Sequence, residues 1–435
     1  MDFTLDSGNT AFMLLAASLV LLMTPGLAFF YGGMVRGKSV LNMMMMSFGA
    51  MGLVGLIWVL YGYSAAFGSD DLGGIIANPT TYFGLQGATD GESLMAAAGV
   101  PFLVGAGFQL TFAVITVALI SGAVADRMKF NSWLIFGGIW VTLVYVPLAH
   151  MVWGGGKLSA NGITKSISTP IDFAGGTVVH INAGTAGLVL ALLLGLRKGF
   201  GKEPMRPHNL PFVMLGAALL WFGWFGFNAG SEFAADGTAG RAWLNTTLAT
   251  CVAMLAWLLT EKIRDGHATS LGAASGVVAG LVAITPAAAA VDSYGAIAVG
   301  AIAGVLCALA VGLKYKFGYD DSLDVVGVHL VGGVVGTLLI GFFATNGNSA
   351  WLPDGAKEGV FYGGGFDQLL TQAIVAACAI VFSFVLTFVI GIILKKTIGI
   401  RVTEEVEVGG IDLAVHAESA YETLGAGSRV VTEVK

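Results

Sequence analysis

Long apolar blocks, separated by short polar connections, dominate the pattern of this chain. Each block holds roughly 20 apolar residues, the length a helix needs to cross about 30 Å of hydrocarbon. The pattern therefore predicts eleven transmembrane helices. They are expected at approximately 10–32, 40–66, 97–122, 132–152, 175–196, 210–230, 242–261, 271–289, 295–314, 324–345 and 368–394.

Composition supports this prediction. Of the 435 residues, 56% are hydrophobic and 11% are charged, and the mean hydropathy is +0.82, whereas soluble domains carry about 25% charged residues. The 64 glycines lie throughout the apolar runs, where small residues let transmembrane helices approach one another closely. We therefore expect an all-α integral membrane protein and not a barrel.

Charge and cysteine content exclude other classes. The net charge is −6, and no stripe of Lys and Arg follows the chain, so no nucleic-acid partner is expected. Cys251, Cys307 and Cys378 lie in apolar stretches without paired spacing, which argues against a disulfide framework or a zinc site. We interpret these cysteines as packing residues.

The first apolar run resembles a signal peptide only in part. Residues 11–23 have the hydrophobicity of such a segment, but no Lys or Arg precedes Arg36, so the required positive region is missing. We expect this run to begin a true first span with its amino end outside.

The distribution of Lys and Arg predicts the orientation. With the amino end outside, seventeen of them fall in inner connections or in the tail. The four outer ones are Lys157, Lys165, Arg241 and Lys357. Because positive residues favour the cytoplasmic side, the carboxyl end is predicted to be cytoplasmic, beneath a plasma or inner membrane. Residues 1–396 would form the membrane domain, and residues 397–435 a cytoplasmic regulatory tail that docks on it or on a partner, because the tail is too polar to fold alone.

Two segments share one spacing of polar and small residues. Residues 172–187 read DFAGGTVVHINAGTAG, and residues 321–336 read DSLDVVGVHLVGGVVG. Both follow the order Asp, seven residues, His, three residues, Gly, two residues, Gly. The matched positions are Asp172, His180, Gly184 and Gly187, and Asp321, His329, Gly333 and Gly336.

The topology makes these segments an inverted repeat. The fifth span begins outside and the tenth begins inside, so the two copies cross the membrane in opposite directions. The halves would cover about 10–196 and 210–345, five spans each, with 368–394 as an additional helix. Glycines four and seven residues after each histidine share its helix face, so we expect the fifth and tenth helices to pack closely there.

The two histidines are expected to meet near the membrane midplane. Each lies eight residues after its aspartate, a rise of about 12 Å from opposite faces. Ionisable residues inside a membrane usually mark a pathway, so the favoured interpretation is a functional pair. The alternative is that each imidazole is buried and bonded to a carbonyl of a neighbouring helix. A metal site is disfavoured because no third ligand lies at that depth, so we predict neither a metal nor a cofactor.

A second group of candidates lies toward the outer ends of three spans. Trp224, Phe227 and Ser231 share one helix face by their spacing. Phe112 lies in the third span, and Trp153 follows the fourth. Singly, these residues are explained as core filler or as an interfacial aromatic belt. Together with the histidines they indicate a cation-binding vestibule, because ring faces attract a cation without a fixed carboxylate that would hold it too tightly.

Several long motifs occur in a fixed order along the chain. They are TPGLAFFYGG at 24–33, DFAGGTVVHINAG at 172–184, GWFGFNAGS at 223–231, AGLVAITPA at 279–287, DDSLDVVGVHLVGGVVG at 320–336 and the tail. In this order they resemble the ammonium transporter (Amt/Mep/Rh) family, and specifically its bacterial members, over nearly the whole chain. The resemblance implies a homotrimer in the lipid bilayer with one pore per subunit, and a transporter and not an enzyme.

The resemblance also implies roles for particular residues. They are an outer ammonium site at Phe112, Trp153 and Ser231, a stacked gate at Phe112 and Phe227, twin pore histidines at His180 and His329, a structural aspartate at Asp172, and supporting positions at Trp224 and Thr285. From its place at the start of the fifth helix, we expect Asp172 to bind backbone donors there. The tail resembles that of bacterial members whose cytoplasmic regulator is a PII-type signalling protein, which implies such a partner here.

The chemistry of ammonium fits this arrangement. Moving a bare ion into an apolar channel has an idealised cost of order 20 kcal/mol, whereas neutral ammonia avoids that charge. A passage lined by aliphatic groups and two imidazoles therefore favours splitting ammonium into ammonia and a proton, and imidazoles can both accept hydrogen bonds and relay protons. Two rival hypotheses remain at this point: an ammonium sensor that signals through the tail with little flux, and a channel for small neutral solutes.

Overall fold

Eleven long apolar helices form the body of the protein. The computed structural model describes residues 3–347 and 351–421, and within them these helices are long enough to cross a membrane. Their bounds are Ser7–Met34, Val40–Phe67, Phe102–Val124, Phe130–Trp153, Gly176–Leu194, Leu210–Glu232, Gly237–Asp265, Ser270–Ala287, Ser293–Phe317, Val326–Phe343 and Asp367–Thr397. The predicted count and order of spans are confirmed. Because the number of spans is odd, the first helix begins at one face of the bundle, here termed the amino-terminal face. The last helix ends at the opposite face, here termed the carboxyl-terminal face.

Two helices begin at positions that the apolar pattern did not predict. The third starts at Phe102, five residues after the expected 97, because Gly99 adopts a left-handed conformation (φ +70°) and Pro101 precedes the first turn. The seventh starts at Gly237, before the expected 242, because the Asp236 carboxylate accepts hydrogen bonds from its first backbone N–H groups. Local capping thus determines where each of these two helices begins.

The fifth and tenth helices share an uncommon feature. Each opens with a π-helical turn, Gly176–Ile181 in one and Val326–Leu330 in the other, and each turn carries the histidine of its repeat. Asp321 accepts hydrogen bonds from the backbone N–H groups of Val325 and Val326, in the position that Asp172 holds in the fifth helix. The inverted repeat therefore extends from sequence spacing to the local hydrogen-bond pattern, and π-turns are frequent at functional sites.

Glycine allows the two repeat helices to approach closely. A side chain at Gly184 would lie 2.4 Å from the backbone nitrogen of Leu330, and one at Gly333 would lie 3.1 Å from the Gly176 carbonyl oxygen. These contacts confirm the expected packing at the first glycine of each motif. Gly336 differs, because it packs against the backbone of Ala283 in the eighth helix.

Three connections on the amino-terminal face are longer than any connection on the other face. The stretch between the second and third helices contains a small antiparallel hairpin of β1, Asp71–Leu72, and β2, Ile76–Ala77, followed by three single 3₁₀ turns. Asp71 also contacts His150 near the end of the fourth helix, with 3.0 Å between Oδ1 and Nε2. This hairpin braces the end of the helix that carries Trp153.

Paired charges tie the connections together on the carboxyl-terminal face. The Arg197 guanidinium donates to both oxygens of Asp320 and also contacts Asp126, which pairs with Arg36. Burial alone would raise the pKa of Asp320, but the Arg197 guanidinium outweighs burial and holds that pKa below its usual range. Because the pKa is lowered on folding, this contribution to stability is present at neutral pH and is lost as the pH falls through the folded-state value.

The described part of the tail lies against the membrane domain. It contains a short helix, Glu404–Gly409, and a π-helical turn, Asp412–His416. The Asp412 carboxylate accepts from the backbone N–H groups of Leu41 and Asn42 and so caps the second helix. The docking expected for the tail is thus seen for residues 398–421, while residues 422–435 of the predicted tail lie outside the described residues.

Glu407 anchors the tail, and its replacement is expected to release it. The carboxylate is 1% exposed and accepts from the Lys198 backbone N–H at 2.7 Å and from Arg401 at 2.7 Å. Loss of these charge-assisted bonds in Glu407→Ala should raise the rate of limited proteolysis within residues 398–421 about tenfold. Glu405→Ala, an exposed change on the same short helix, should leave that rate unchanged. Equal cleavage of the two variants would contradict the anchoring role.

Candidate functional site

A cavity of about 450 Å³ opens at the amino-terminal face and is here termed the vestibule. Phe112, Trp153 and Ser231, which the sequence interpretation assigns to one outer site, all line it. The Trp153 indole N–H donates to the backbone oxygen of Asp172 at 2.9 Å, which fixes the ring at the wall. The Ser231 hydroxyl donates to the Phe227 carbonyl at 2.8 Å, so its lone pairs remain available to accept a bond from a guest in the cavity.

Two stacked phenylalanines close the floor of the vestibule. The rings of Phe112 and Phe227 are nearly parallel, with centroids 4.1 Å apart and an interplanar angle of 18°. Trp153 meets Phe112 edge-on at 6.0 Å. Both phenylalanines are buried, and stacked pairs of this kind contribute about 0.5–1.5 kcal/mol beyond their buried area. Phe112 lines the vestibule and Phe227 lines the narrow cavity below it, so this stacked pair, here termed the phenylalanine gate, lies between the two cavities.

The two histidines lie in contact beneath this gate. Their Nδ1 atoms are 3.3 Å apart, their ring centroids are 5.4 Å apart, and the rings are tilted by 21°. One Nδ1 must carry the shared proton and the other must accept it. Both residues line a cavity of about 10 Å³, close to the least volume that holds one water-sized molecule. Among the described residues His180 Nε2 has no hydrogen-bond partner, so it is free to bind a guest.

Trp224 and Thr285 hold the first histidine from one side. The Trp224 ring lies at 5.5 Å from the His180 ring and is tilted from it by only 18°. Its indole N–H donates to the Thr285 hydroxyl at 2.8 Å, and that hydroxyl donates to the Leu281 carbonyl. This chain of bonds fixes the plane of the indole and, through stacking, the plane of the imidazole.

Asp172 binds the amino end of the fifth helix through both carboxylate oxygens. Oδ1 accepts from the backbone N–H groups of Gly175 and Gly176, at 2.8 and 2.6 Å. Oδ2 accepts from the N–H groups of Thr177 and Val178 and from the Thr177 hydroxyl. The N–H groups in the first turn of a helix have no partners inside the helix. The Asp172 carboxylate provides the missing acceptors.

A second narrow cavity continues beyond the histidines toward the carboxyl-terminal face. It has a volume of about 10 Å³ and is lined by His329, Tyr31, Ser275 and Asp324. Because His329 lines this cavity and the one above it, the imidazole stands at the junction. Vestibule, gate, histidine pair and lower cavity thus follow one another across the helix bundle.

The structure brings the predicted site residues together along one line across the helix bundle, with Thr285 bonded to Trp224 at its side. It also adds other residues to this site. Within residues 3–347 and 351–421, no group of three or more His, Cys, Asp or Glu side chains could hold a metal ion. The sequence interpretation missed Glu232, which also lines the vestibule, although its place beside Ser231 in GSE was a visible signal. Ser159 and Asn161, from the connection after the fourth helix, complete the wall.

Comparison with known proteins gives consistent matches over nearly the full length. A family model described as "Ammonium Transporter Family" matches residues 11–421. An ammonium transporter of Mycobacterium tuberculosis is 58% identical, covering 98% of this chain and 92% of its own length. One from Aquifex aeolicus is 50% identical, with coverage of 96% and 94%.

Solved structures agree with these matches. The crystal structure of Candida albicans Mep2 has a TM-score of 0.84 at 31% identity, covering 92% of this chain and 87% of that chain. A structure described as "Sensor Amt Protein" has a TM-score of 0.83 at 28% identity, with coverage of 94% and 98%.

Proposed function

The chain belongs to the ammonium transporter family. We propose that it carries ammonium across a membrane by a route that runs from the vestibule, through the phenylalanine gate, to the twin histidines. The observation that carries this proposal is the contact of His180 and His329, 3.3 Å apart between Nδ1 atoms, directly beneath the gate. Two imidazoles from oppositely directed helices meet there in a cavity otherwise lined by apolar and aromatic side chains.

Ammonium is captured first in the vestibule. The faces of Trp153 and Phe112 attract the cation, and the Ser231 oxygen accepts a hydrogen bond from it. No carboxylate bond is required, so the ion is held loosely enough to move on. The stacked rings of Phe112 and Phe227 separate this wet cavity from the narrow one below.

Trp153→Leu is expected to weaken ammonium capture. A cation over an indole face gains about 0.5–2 kcal/mol, so KM for ammonium uptake should rise about three- to thirtyfold. Uptake by proteoliposomes over a concentration series measures this change. Trp351→Leu removes another indole that lines the vestibule but is not assigned to the ammonium site, and it should shift KM less than twofold. An unchanged KM in Trp153→Leu would contradict the assignment.

Ammonium divides at the gate into ammonia, which enters the narrow passage, and a proton, which passes to water on the vestibule side or along the imidazole pair. The narrow passage disfavours a charge but accepts ammonia, which is small, neutral and able to donate hydrogen bonds. His180 Nε2 accepts one of these bonds, while the shared Nδ1 proton keeps the two rings in register. Potassium has a similar size and charge but carries no proton to lose, so it is rejected at this step.

The amino-terminal face is proposed as the outer face. Among the described residues, four Lys and Arg lie toward that face and fifteen lie toward the other, which is the bias of a protein with a cytoplasmic carboxyl end. The vestibule then opens to the outside, and the docked tail lies in the cytoplasm. Protease added to intact, right-side-out vesicles should leave residues 398–421 uncut.

Ammonium-evoked current in proteoliposomes tests the proposed function. Ammonium added outside should produce uptake that potassium chloride does not, and a steady current shows that positive charge crosses together with ammonia. Uptake without current would mean that the proton returns to the outer solution. If protein that unfolds cooperatively shows no uptake and no current, this result would contradict the transport proposal.

A sensor role is the second candidate. One structural neighbour is described as "Sensor Amt Protein", and the tail of this chain contacts the membrane domain through Asp412 and Glu407. A sensor would bind ammonium and change tail docking with little flux. Ammonium-dependent protection of residues 398–421 from protease, without uptake in the same vesicles, would favour this candidate.

Assembly and regulation are proposed from the family resemblance. We expect a homotrimer with one pore in each subunit, which native mass spectrometry in mild detergent would detect as a threefold mass. A PII-type signalling protein is the proposed partner at the carboxyl-terminal face. Purified PII protein should bind full-length vesicles and lose affinity when residues 398–435 are removed.

A further inference from the structure

Two carboxylates line the vestibule, and their situations differ. Asp172 uses both oxygens to bind backbone N–H groups of the fifth helix. The side chain of Glu232 is half-buried and forms no hydrogen bond or ion pair with any residue in the described ranges 3–347 and 351–421. No Lys or Arg belongs to the vestibule lining. When it is ionised, the carboxylate of Glu232 is a negative charge in the cavity wall without a positive partner among the described residues.

The backbone fixes Glu232 at this position. It is the last residue of a single 3₁₀ turn, Gly230–Glu232, that ends the sixth helix. Phe233 ends the turn in a left-handed conformation (φ +67°), and its N–H donates to the Gly230 carbonyl at 3.0 Å. The Phe233 ring packs edge-on against Phe108. The residue directly before Glu232 is Ser231, so hydroxyl and carboxylate enter the same cavity from one short turn.

We propose that Glu232 concentrates ammonium in the vestibule by long-range attraction and sets the affinity of entry. This inference rests on the proposed route, because it takes the vestibule as the entrance. A fixed charge in a cavity with apolar walls acts over a longer distance than one in open water, since the walls focus its field. Tryptophan, phenylalanine and serine give the ion a binding geometry, and Glu232 raises its local concentration.

The charge is expected to affect cations as a class. Attraction by a carboxylate does not distinguish ammonium from potassium, which are alike in charge and size. Selection between them then belongs to the steps below the gate, and Glu232 should influence KM while leaving the maximal rate unchanged. Neutral ammonia would gain nothing from this residue.

The test compares Glu232→Gln with the native protein at two ionic strengths, both at a mildly alkaline pH at which the carboxylate is ionised. At about 0.01 M the Debye length is about 30 Å, and at about 1 M it is about 3 Å. KM for ammonium uptake should be about three- to tenfold higher in the variant at low ionic strength, with an unchanged maximal rate. The KM values should converge at high ionic strength. A purely structural role would shift KM equally under both conditions.

Two further variants complete the test. Glu232→Asp keeps the charge and should remain within about twofold of the native KM. Asp354→Asn removes an exposed carboxylate on the same face that does not line the vestibule, and it too should stay within about twofold, because bulk water screens that charge. If Glu232→Gln does not fold, the native protein alone still tests the inference. Its KM for ammonium must rise with ionic strength, and a constant KM would contradict the role of Glu232.

The outcomes separate this inference from the proposed function. A native KM for ammonium that is independent of ionic strength, or a Glu232→Gln variant with native KM at low salt, would overturn the role of Glu232 and leave the route intact. Absence of ammonium uptake by the native protein would instead contradict the proposed route itself.

Discussion

His180→Ala and His329→Ala are each expected to lower ammonium flux by about tenfold and to weaken the exclusion of potassium. Each change removes one partner of the 3.3 Å contact between the imidazoles and with it a hydrogen-bond site for ammonia, whose loss costs about 1–3 kcal/mol in a buried setting. It also enlarges a cavity that now has about 10 Å³. Water that enters the vacated space would hydrate a cation and remove the penalty that rejects it.

Paired uptake assays measure both effects. Proteoliposomes containing each variant are given ammonium or potassium, and the ratio of the two fluxes is compared with that of the native protein. His267→Ala is the matched control, because that imidazole is exposed in the connection between the seventh and eighth helices and should leave the ratio unchanged. Native ammonium flux and native exclusion of potassium in both His180→Ala and His329→Ala would remove the role given to the pair.

The two histidines are expected to differ in one respect. His180 stacks on Trp224 and has a free Nε2, whereas His329 borders both narrow cavities. Loss of His180 leaves Trp224 facing an empty space just below the gate. The step affected is therefore the entry of ammonia into the narrow cavity after capture. Loss of His329 opens the junction between the cavities. The double variant should therefore admit more potassium than either single one.

The spans and the histidine pair were predictable from the sequence because they depend on local pattern. About 20 apolar residues are needed to cross the hydrocarbon wherever they occur, so the eleven runs predicted the eleven helices. The shared spacing of Asp172 and His180 with Asp321 and His329 fixed equal depths from opposite faces. Depth and symmetry together required the two rings to approach, whatever the remaining packing.

Other features depended on packing between distant segments and could not be predicted. The stacking of Trp224 on His180 and its bond to Thr285 join three helices. The contact of Gly336 with Ala283 arises because the eighth helix covers the face of the tenth helix on which Gly336 lies. Helix spacing gives the face on which a residue lies, but the partner on that face is set by the tertiary fold.

Asp172→Ala is expected to cause the largest loss of stability among the changes considered. It removes the acceptor for four backbone N–H groups and one hydroxyl at the start of the fifth helix. Unpaired buried donors cost about 1–3 kcal/mol each, so even partial hydration of these groups leaves a penalty of several kcal/mol. The favourable interaction of a carboxylate with a helix amino end is lost as well.

Asp172→Asn separates hydrogen bonding from charge. The amide oxygen can still accept from one pair of N–H groups, but the amide NH₂ would face the other donors. If Asp172 acts mainly as a structural acceptor, the asparagine variant should unfold at a temperature between those of the native protein and Asp172→Ala. Thermal unfolding in detergent measures this order. Asp6→Ala, which removes a single exposed cap bond to Asn9 at 2.8 Å, is the control and should shift the transition least.

The same variants connect stability with capture of the substrate. The backbone oxygen of Asp172 accepts the indole N–H of Trp153, so a displaced helix start also displaces the ring that binds ammonium. KM for ammonium should therefore rise in the order native, Asp172→Asn, Asp172→Ala, in parallel with the loss of stability. Equal and complete loss of uptake in both variants, with native unfolding temperature in Asp172→Asn, would show that the negative charge itself is required and would contradict the structural role.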